Sequence, residues 1–397
     1  MSFTSEPGAP PSNGFVPLSV PEVRGNEWQY IKDCIDTGWV SSVGSYVDRF
    51  ERDLAEAVGA KYAVAAVNGS AALHIGHLLA GVQPGDEVLC SDITFIASAN
   101  SIRYAFAHPV FIDCRKDTWQ IDPDLVKQFL TEECERRDGG VYNKKSGRRI
   151  GAIMPVHILG TSVDLDPILA TAKEFGIPVV EDAAEALGSV YKGKRVGSFD
   201  TTAACFSFNG NKILTTGGGG MIVTNDEAIA KRAKFLTTQA KDHPVEYIHS
   251  EVGYNYRLPN LLAAMGCAQL ELLDEYLAKK KQIAKTYEEG LKDVDGITVM
   301  PNPGYGDSSF WLYTILIDKD VYGETWRDVM VRLQEAKIQT RPLWEPMHLS
   351  RAHSESQFYG HSVSESLYST ALSLPCSVGL TDSDQDRVIN ALRRESQ

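Results

Sequence analysis

The chain has 397 residues, 43% of them hydrophobic and 23% charged, which suits a large folded core in two domains and excludes a fibrous or disordered class. Lys and Arg number 39 against 52 Asp and Glu, and the net charge of −13 argues against nucleic acid and anionic membrane as partners. Seven cysteines without a CxxC pair read as reduced core thiols, no metal site is expected, and no secretion signal or membrane-length apolar run is seen, so the expected location is the cytoplasm.

Residues 1–14 are rich in Pro, Ser and Gly and read as a flexible tail. From residue 61 onward, short apolar runs alternate with helix-patterned stretches. Residues 62–67 form a buried strand that breaks at Asn68-Gly69 and gives way to a helix over 71–79. Strands follow at 87–90, 110–113, 150–156, 178–182, 203–208 and 221–224, with helices over 97–104, 166–175 and 227–238 between them. This alternation predicts an α/β fold with a mostly parallel central sheet covered by helices. Residues 132–149 interrupt it with Arg136, Arg137, Lys144, Lys145, Arg148 and Arg149 around two Gly-containing turns. That segment reads either as a solvated hairpin insertion or as a flap that contacts an anion. Pro259 opens a long helix whose Leu261, Met265, Ala268 and Leu272 repeat at helical spacing as a buried face. The pattern turns polar at 276–281, which sets a large domain over 15–275 and a smaller C-terminal α+β domain over 276–397. The latter carries a strand at 311–317 and helices at 325–335 and 383–392.

Lys212 has the most unusual setting. An apolar strand ends in Ser207-Phe208-Asn209-Gly210-Asn211-Lys212, and four glycines, Gly217 to Gly220, follow shortly after. A solvated lysine needs no such setting, whereas an amine that must lose its proton and attack a carbonyl does. The glycine run follows the lysine, so the order of a nucleotide-triphosphate phosphate loop is absent. Gly69, Ser70 and Ala71 open a helix straight after a buried strand, and their amides make an anion site, although a plain Ser-capped helix explains them too. Asp182 ends a buried parallel strand, where doubly wound sheets bind ligands, and it reads either as a helix cap or as a partner for a protonated ring nitrogen. Ser207 precedes the lysine across a turn and is placed to share a phosphate. Gly253 to Asn260 form a polar aromatic turn that is either a capped loop or part of a site. Together with Phe95 as ring support, these residues fit pyridoxal phosphate.

Several short motifs, all in the same order, carry a resemblance. They include Thr37-Gly38-Trp39-Val40-Ser41-Ser42, Asn68-Gly69-Ser70-Ala71-Ala72 and Asp92-Ile93-Thr94-Phe95. Pro155-Val156-His157, Glu181-Asp182-Ala183-Ala184-Glu185, the lysine segment, Gly253-Tyr254-Asn255-Tyr256-Arg257 and Thr340-Arg341-Pro342-Leu343-Trp344 continue the series. From about residue 15 to the C-terminal region the chain resembles the DegT/StrS sugar aminotransferases, which have fold type I of the pyridoxal phosphate enzymes. The resemblance implies that Lys212 holds the cofactor covalently and that Asp182 pairs with its ring nitrogen. It implies further that Phe95 stacks on the ring, that Gly69, Ser70, Ala71 and Ser207 hold the phosphate, and that Asn255 reaches the phosphate of a neighbouring subunit in a homodimer with shared sites.

Many relatives carry glutamine where Glu185 stands, to meet the cofactor's ring oxygen. A glutamate there must be protonated, face a donor or point elsewhere. The subgroup most resembled is that of the legionaminic-acid and bacillosamine pathways, so the implied reaction moves an amino group from L-glutamate to C4 of a nucleotide-linked 4-keto-6-deoxy-N-acetylhexosamine. A perosamine-type or other nucleotide-sugar transaminase is the nearest alternative, and a non-catalytic pyridoxal phosphate-binding regulator the alternative of another class. Trp39, His157, Asn209, Arg257 and Arg341 are the candidate substrate contacts, with a structural ion pair also open for either arginine and a core position also open for His157.

Overall fold

The computed structural model describes residues 14–394, so the tail expected over 1–14 lies outside the described residues except for Gly14. The central sheet is built from β1 Tyr62–Ala66, β2 Glu87–Ser91, β3 His108–Ile112, β4 Ile150–Met154, β5 Val180–Asp182, β6 Ala203–Ser207 and β7 Gly220–Thr224. Their spatial order is β1-β7-β6-β5-β4-β2-β3, with β5 joined to β4 through the parallel bridges Ile153–Val179 and Val156–Asp182. Only β7 runs against its neighbours; the pairs β6–β5, β4–β2 and β2–β3 are all parallel. Gln357–Tyr359 adds a further parallel segment beyond β3.

The strands are apolar because both faces are covered. Val88 and Cys90 of β2 enter one hydrophobic cluster while Leu89 between them enters another; Phe111 of β3 is divided from Val110 and Ile112 in the same way, as are Ala152 and Met154 of β4 from Ile153. Successive side chains of a strand point to opposite faces, so these two clusters are the two helix-covered sides of one sheet. The carboxyl ends of β1, β5 and β6 lie on one edge, and Asn68, Asp182 and Ser207 are delivered there together.

The C-terminal part forms a second, antiparallel sheet in the order Ile297–Thr298, Tyr313–Ile317, Ala371–Leu374, Arg341–Pro342. The helices Trp326–Glu335 and Asp382–Arg393 accompany it; a reciprocal Thr325–Asp328 capping box starts the first.

Two expectations change in detail. The long helix expected from Pro259 is two helices, Asn260–Leu270 and Leu273–Leu291, and the second runs unbroken through the polar stretch taken as a domain boundary. The first buries small residues, Ala263, Ala264, Cys267 and Ala268, against the helices Glu27–Thr37 and Ser45–Val58. Gly266 lies so close to the Phe50 ring that a Cβ there would sit 2.7 Å from it. Close helix approach selects small side chains, which leaves Leu261, Met265 and Leu272 only partly covered. The segment 132–149 is a hairpin, Cys134–Arg137 with Gly140–Asn143. Three of its cations are turned onto the chain's own acceptors: Arg136 donates to the Glu174 carbonyl, Arg137 to the Gly147 carbonyl, and Arg149 pairs with Asp86.

Candidate active site

A cavity of about 540 Å³ opens at the carboxyl edge of the central sheet, between it and the smaller sheet. At one end β1 passes through Asn68 into the helix Gly69–Leu79. The Asn68 side chain accepts from the Ala71 amide at 2.8 Å, while the Gly69 and Ser70 amides lie in the helix's first turn, where no intrahelical acceptor exists. Close contact shapes this corner. A Cβ on Gly69 would stand 2.8 Å from the Ser207 Cβ and 3.1 Å from its Oγ, and a Cβ on Gly220 would stand 2.5 Å from the Asn68 carbonyl oxygen. Two absent side chains thus bring the Ser207 hydroxyl beside the positive end of a helix, a setting for a phosphate. Gly220 serves the approach of β7 to the Asn68 turn, and Gly218 and Gly219 line the cavity.

Asp182 is 3% exposed at the end of β5. Its Oδ2 accepts from Ser98 Oγ at 2.6 Å and its Oδ1 from the Ala184 amide at 3.0 Å. Ser98 in turn accepts from Thr94 at 2.7 Å, so a hydroxyl chain fixes the carboxylate. Burial pushes the Asp182 carboxyl above the usual range, while the Ser98 and Ala184 bonds and the charge on Lys212 pull the other way. Sequence reasoning missed Ser98, although it stands one helical turn beyond the Thr94-Phe95 motif.

Lys212 projects into the same cavity with 13% of its side chain exposed. Its Nζ is 3.5 Å from Glu185 Oε1 and 3.8 Å from the centre of the Trp311 ring. Glu185 is held from its other side, where Oε2 accepts from the Leu159 amide at 2.8 Å. Leu159 adopts a left-handed backbone (φ 59°), which a branched residue keeps only when its surroundings demand it. The Glu185 question is therefore answered by two donors.

Of the remaining candidates, Phe95, Asn209 and Arg341 line the cavity, together with Trp311 and Trp344, which sequence reasoning did not assign. Asn255 is exposed outside the lining of this chain's cavity, and its backbone bridges to Thr238. Among the described residues, no group of His, Cys, Asp and Glu is placed to hold a metal ion.

A family model described as DegT/DnrJ/EryC1/StrS aminotransferase matches residues 21–393. The chain belongs to this family. It is 42% identical to EpsN of Bacillus subtilis (strain 168), which carries the name of a pyridoxal phosphate-dependent aminotransferase, over 94% of each chain. It is 38% identical to a GDP-perosamine synthase of Caulobacter vibrioides (strain ATCC 19089 / CIP 103742 / CB 15), over 95% of this chain and 97% of that one. A solved structure of DesI in the presence of its TDP-sugar product superposes with a TM-score of 0.86 at 27% identity, covering 96% of this chain and 93% of that one.

As a member of the DegT/DnrJ/EryC1/StrS family the protein is a pyridoxal phosphate-dependent nucleotide-sugar aminotransferase with the fold type I architecture, which sets aside the non-catalytic binder. The donor set fits that cofactor: amides and a hydroxyl at the helix end, a buried carboxylate, an aromatic face and one amine share a single cavity.

Three residues expected at the substrate lie elsewhere. His157 is fully buried: its Nδ1 accepts from the Val163 amide at 3.0 Å, so Nε2 carries the proton and meets Glu181 at 3.0 Å. Arg257 is 8% exposed and donates to Glu51 at 2.6 Å and to the Ala65 carbonyl at 3.2 Å, so it is a structural ion pair beneath β1. Trp39 is exposed and outside the lining, and its carbonyl accepts from Asn260.

Arg257→Met would leave Glu51 buried with only the Ala65 amide and the half-exposed Lys234 as partners. We expect a loss of about 3 kcal/mol, read as a lower urea midpoint with unchanged slope.

Burial raises the Glu185 carboxyl to about 7 from an ordinary 4.5, against the opposing pull of Lys212 and the Leu159 amide. A raised folded value means that the folded state binds the proton more tightly than the unfolded chain. The stabilisation is then complete below 4.5 and is lost as the pH rises through about 7. In the cofactor-free protein, Glu185→Gln is expected to remove this fall in stability across that window. Urea melts of both forms over a pH series check it, and parallel curves would refute it.

Proposed function

We propose that the enzyme moves the amino group of L-glutamate to C4 of a nucleotide-linked 4-keto-6-deoxy sugar, best a UDP-4-keto-6-deoxy-N-acetylhexosamine, giving the 4-amino sugar and 2-oxoglutarate. The observation that carries the reaction is the meeting of Lys212, Asp182, Ser207 and the Gly69–Ser70 helix end in one cavity. Pyridoxal phosphate, when bound, supplies an electrophilic carbon and a ring that takes up electron density.

The chain's own residues do the rest. Gly69, Ser70 and Ala71 at the helix end and the Ser207 hydroxyl hold the phosphate. Asp182, fixed by Ser98 and the Ala184 amide, accepts a hydrogen bond from the ring nitrogen and keeps it protonated, and Phe95 covers one ring face. Lys212 Nζ, as a free amine, would carry the proton that leaves the substrate carbon. Glu185, whose carboxyl burial raises to about 7, stands 3.5 Å from Lys212, and its ionised form would receive the proton that Lys212 loses. Arg341 and Asn209, at the mouth, face the substrate's anionic and hydroxyl groups.

The nucleotide and sugar rest on the likeness of the lysine segment and the 132–149 insertion to the legionaminic-acid and bacillosamine subgroup. GDP-linked sugars are the competing choice, since GDP-perosamine synthases are among the relatives. A glutamate-dependent amination screen of UDP-, GDP- and dTDP-linked 4-keto sugars decides between them; preference for a GDP-sugar would overturn the proposed substrate.

A homodimer is part of the same proposal, with Asn255 serving the neighbour's phosphate. Trp28, Ile35, Trp39, Val40 and Val43 are exposed on the Glu27–Thr37 helix and the loop after it, an apolar surface that a second copy would cover. Seven buried free thiols accord with a reducing cytoplasm. Mixing Lys212→Ala and Asn255→Ala proteins is expected to recover activity, because mixed dimers regain one intact site; no recovery would sink the shared-site reading.

A further inference from the structure

One buried cation has no place in the reaction described above. Lys280, on the helix Leu273–Leu291, is 3% exposed, and among the described residues no carboxylate pairs with it. Its ammonium donates to the carbonyls of Trp311, at 2.8 Å, and Cys376, at 2.5 Å. Burying an ammonium against neutral acceptors is costly, and burial pushes the Lys280 amine below its ordinary range. An apolar side chain would cost less if packing alone were needed.

What Lys280 holds explains its presence. The Cys376 thiol donates to the same Trp311 carbonyl at 3.5 Å, so this carbonyl is gripped twice. The Trp311 indole N–H donates to the Asn211 carbonyl at 2.6 Å, one residue before Lys212. The face of the ring lies 3.8 Å from Lys212 Nζ, and Trp344 stands parallel to it with centroids 6.2 Å apart. Lys212, Lys280 and Trp311 also border one small second cavity. We infer that Lys280 is a positioning residue for Lys212 and acts through Trp311, whose ring it fixes against the catalytic amine. The inference rests on Lys212 being the cofactor lysine.

The test is the pH midpoint of Lys212 acylation in the full-length, cofactor-free protein, read by peptide mass spectrometry. Wild type, Lys280→Met, Trp311→Leu and the double variant are compared; Asp182, Glu185 and Arg341 remain around the amine in each. A ring over an ammonium favours the charged form, so each single variant is expected to lower the midpoint by about half to one and a half pH units. The double variant is expected to move it no further than either single one, because both act through the same ring. In the holoenzyme Lys280→Met is expected to lower kcat about tenfold with little change in the KM for glutamate.

An unmoved midpoint in Lys280→Met or Trp311→Leu, or shifts that add in the double variant, overturns the inference. Should Lys280→Met fail to fold, Lys280→Gln takes its place, and an unmoved midpoint in Trp311→Leu still overturns the inference. Borohydride reduction of the wild-type holoenzyme separates the two readings. Cofactor fixed on another lysine refutes the premise, whereas cofactor on Lys212 with unmoved midpoints refutes only the part given to Lys280.

Discussion

Lys212→Ala is expected to reduce amino transfer by at least about four orders of magnitude, since in the proposed reaction Lys212 is both the covalent anchor and the proton-transfer group. The variant should still fold and retain the cofactor noncovalently. The Gly69–Ser70 helix end, Ser207 and Asp182 do not depend on the lysine for their positions; their bonds run to the backbone and to Ser98. The loss should fall on kcat and kcat/KM together, the signature of an interaction made in the transition state. Added small primary amines should restore part of the rate by standing in for the proton carrier. Substantial unaided turnover by Lys212→Ala would remove the lysine from the chemistry altogether. One secondary effect is built into the geometry: Glu185 loses the cation at 3.5 Å, so its carboxyl should titrate higher still in the variant.

Asp182→Asn is the second large effect, expected at about a thousandfold in kcat. Asparagine keeps the shape and accepts from Ser98 or the Ala184 amide, but it cannot stabilise a positive charge on the ring nitrogen. The ring then takes up electron density poorly. Because Asp182 is buried, at 3% exposure, water is a poor substitute for the missing charge. Steady-state assays with glutamate alongside cofactor affinity measurements distinguish the two roles of the carboxylate. A loss confined to affinity would mean that Asp182 is only an anchor. Ser98→Ala gives a graded comparison, since it removes one of the two donors that hold the carboxylate in place.

What could be read in advance follows from how each residue is determined. The strands β1 to β7 were legible because a sheet covered on both faces demands unbroken apolar runs, and Lys212 and Asp182 stood out because they end such runs. Single-chain patterns do not reveal partners. Nothing local to Arg257 marks Glu51 as its acceptor, and nothing local to His157 marks Glu181, so both were candidates for the substrate although they brace the scaffold. Trp311 was missed for the converse reason: it lies in the C-terminal part of the chain and reaches the lysine only through the packing of the smaller sheet. The helix Asn260–Leu270 was found, but its stripe was misread. Large apolar residues signal burial in general, while here close helix contact buries the alanines and leaves Leu261 and Met265 at the rim.

Ser207 and Gly220 stand opposite each other in the pairing of β6 with β7, so the excursion carrying Lys212 leaves the sheet and re-enters it at one rung. Moving its two ends means unzipping two of the central strands. Amide hydrogens of β6 and β7 should therefore exchange only through global unfolding, at the slowest rates in the protein. The lysine thus stands on a loop anchored at both ends in the central sheet, and the facing wall of the cavity is the Arg341–Trp344 segment of the smaller sheet.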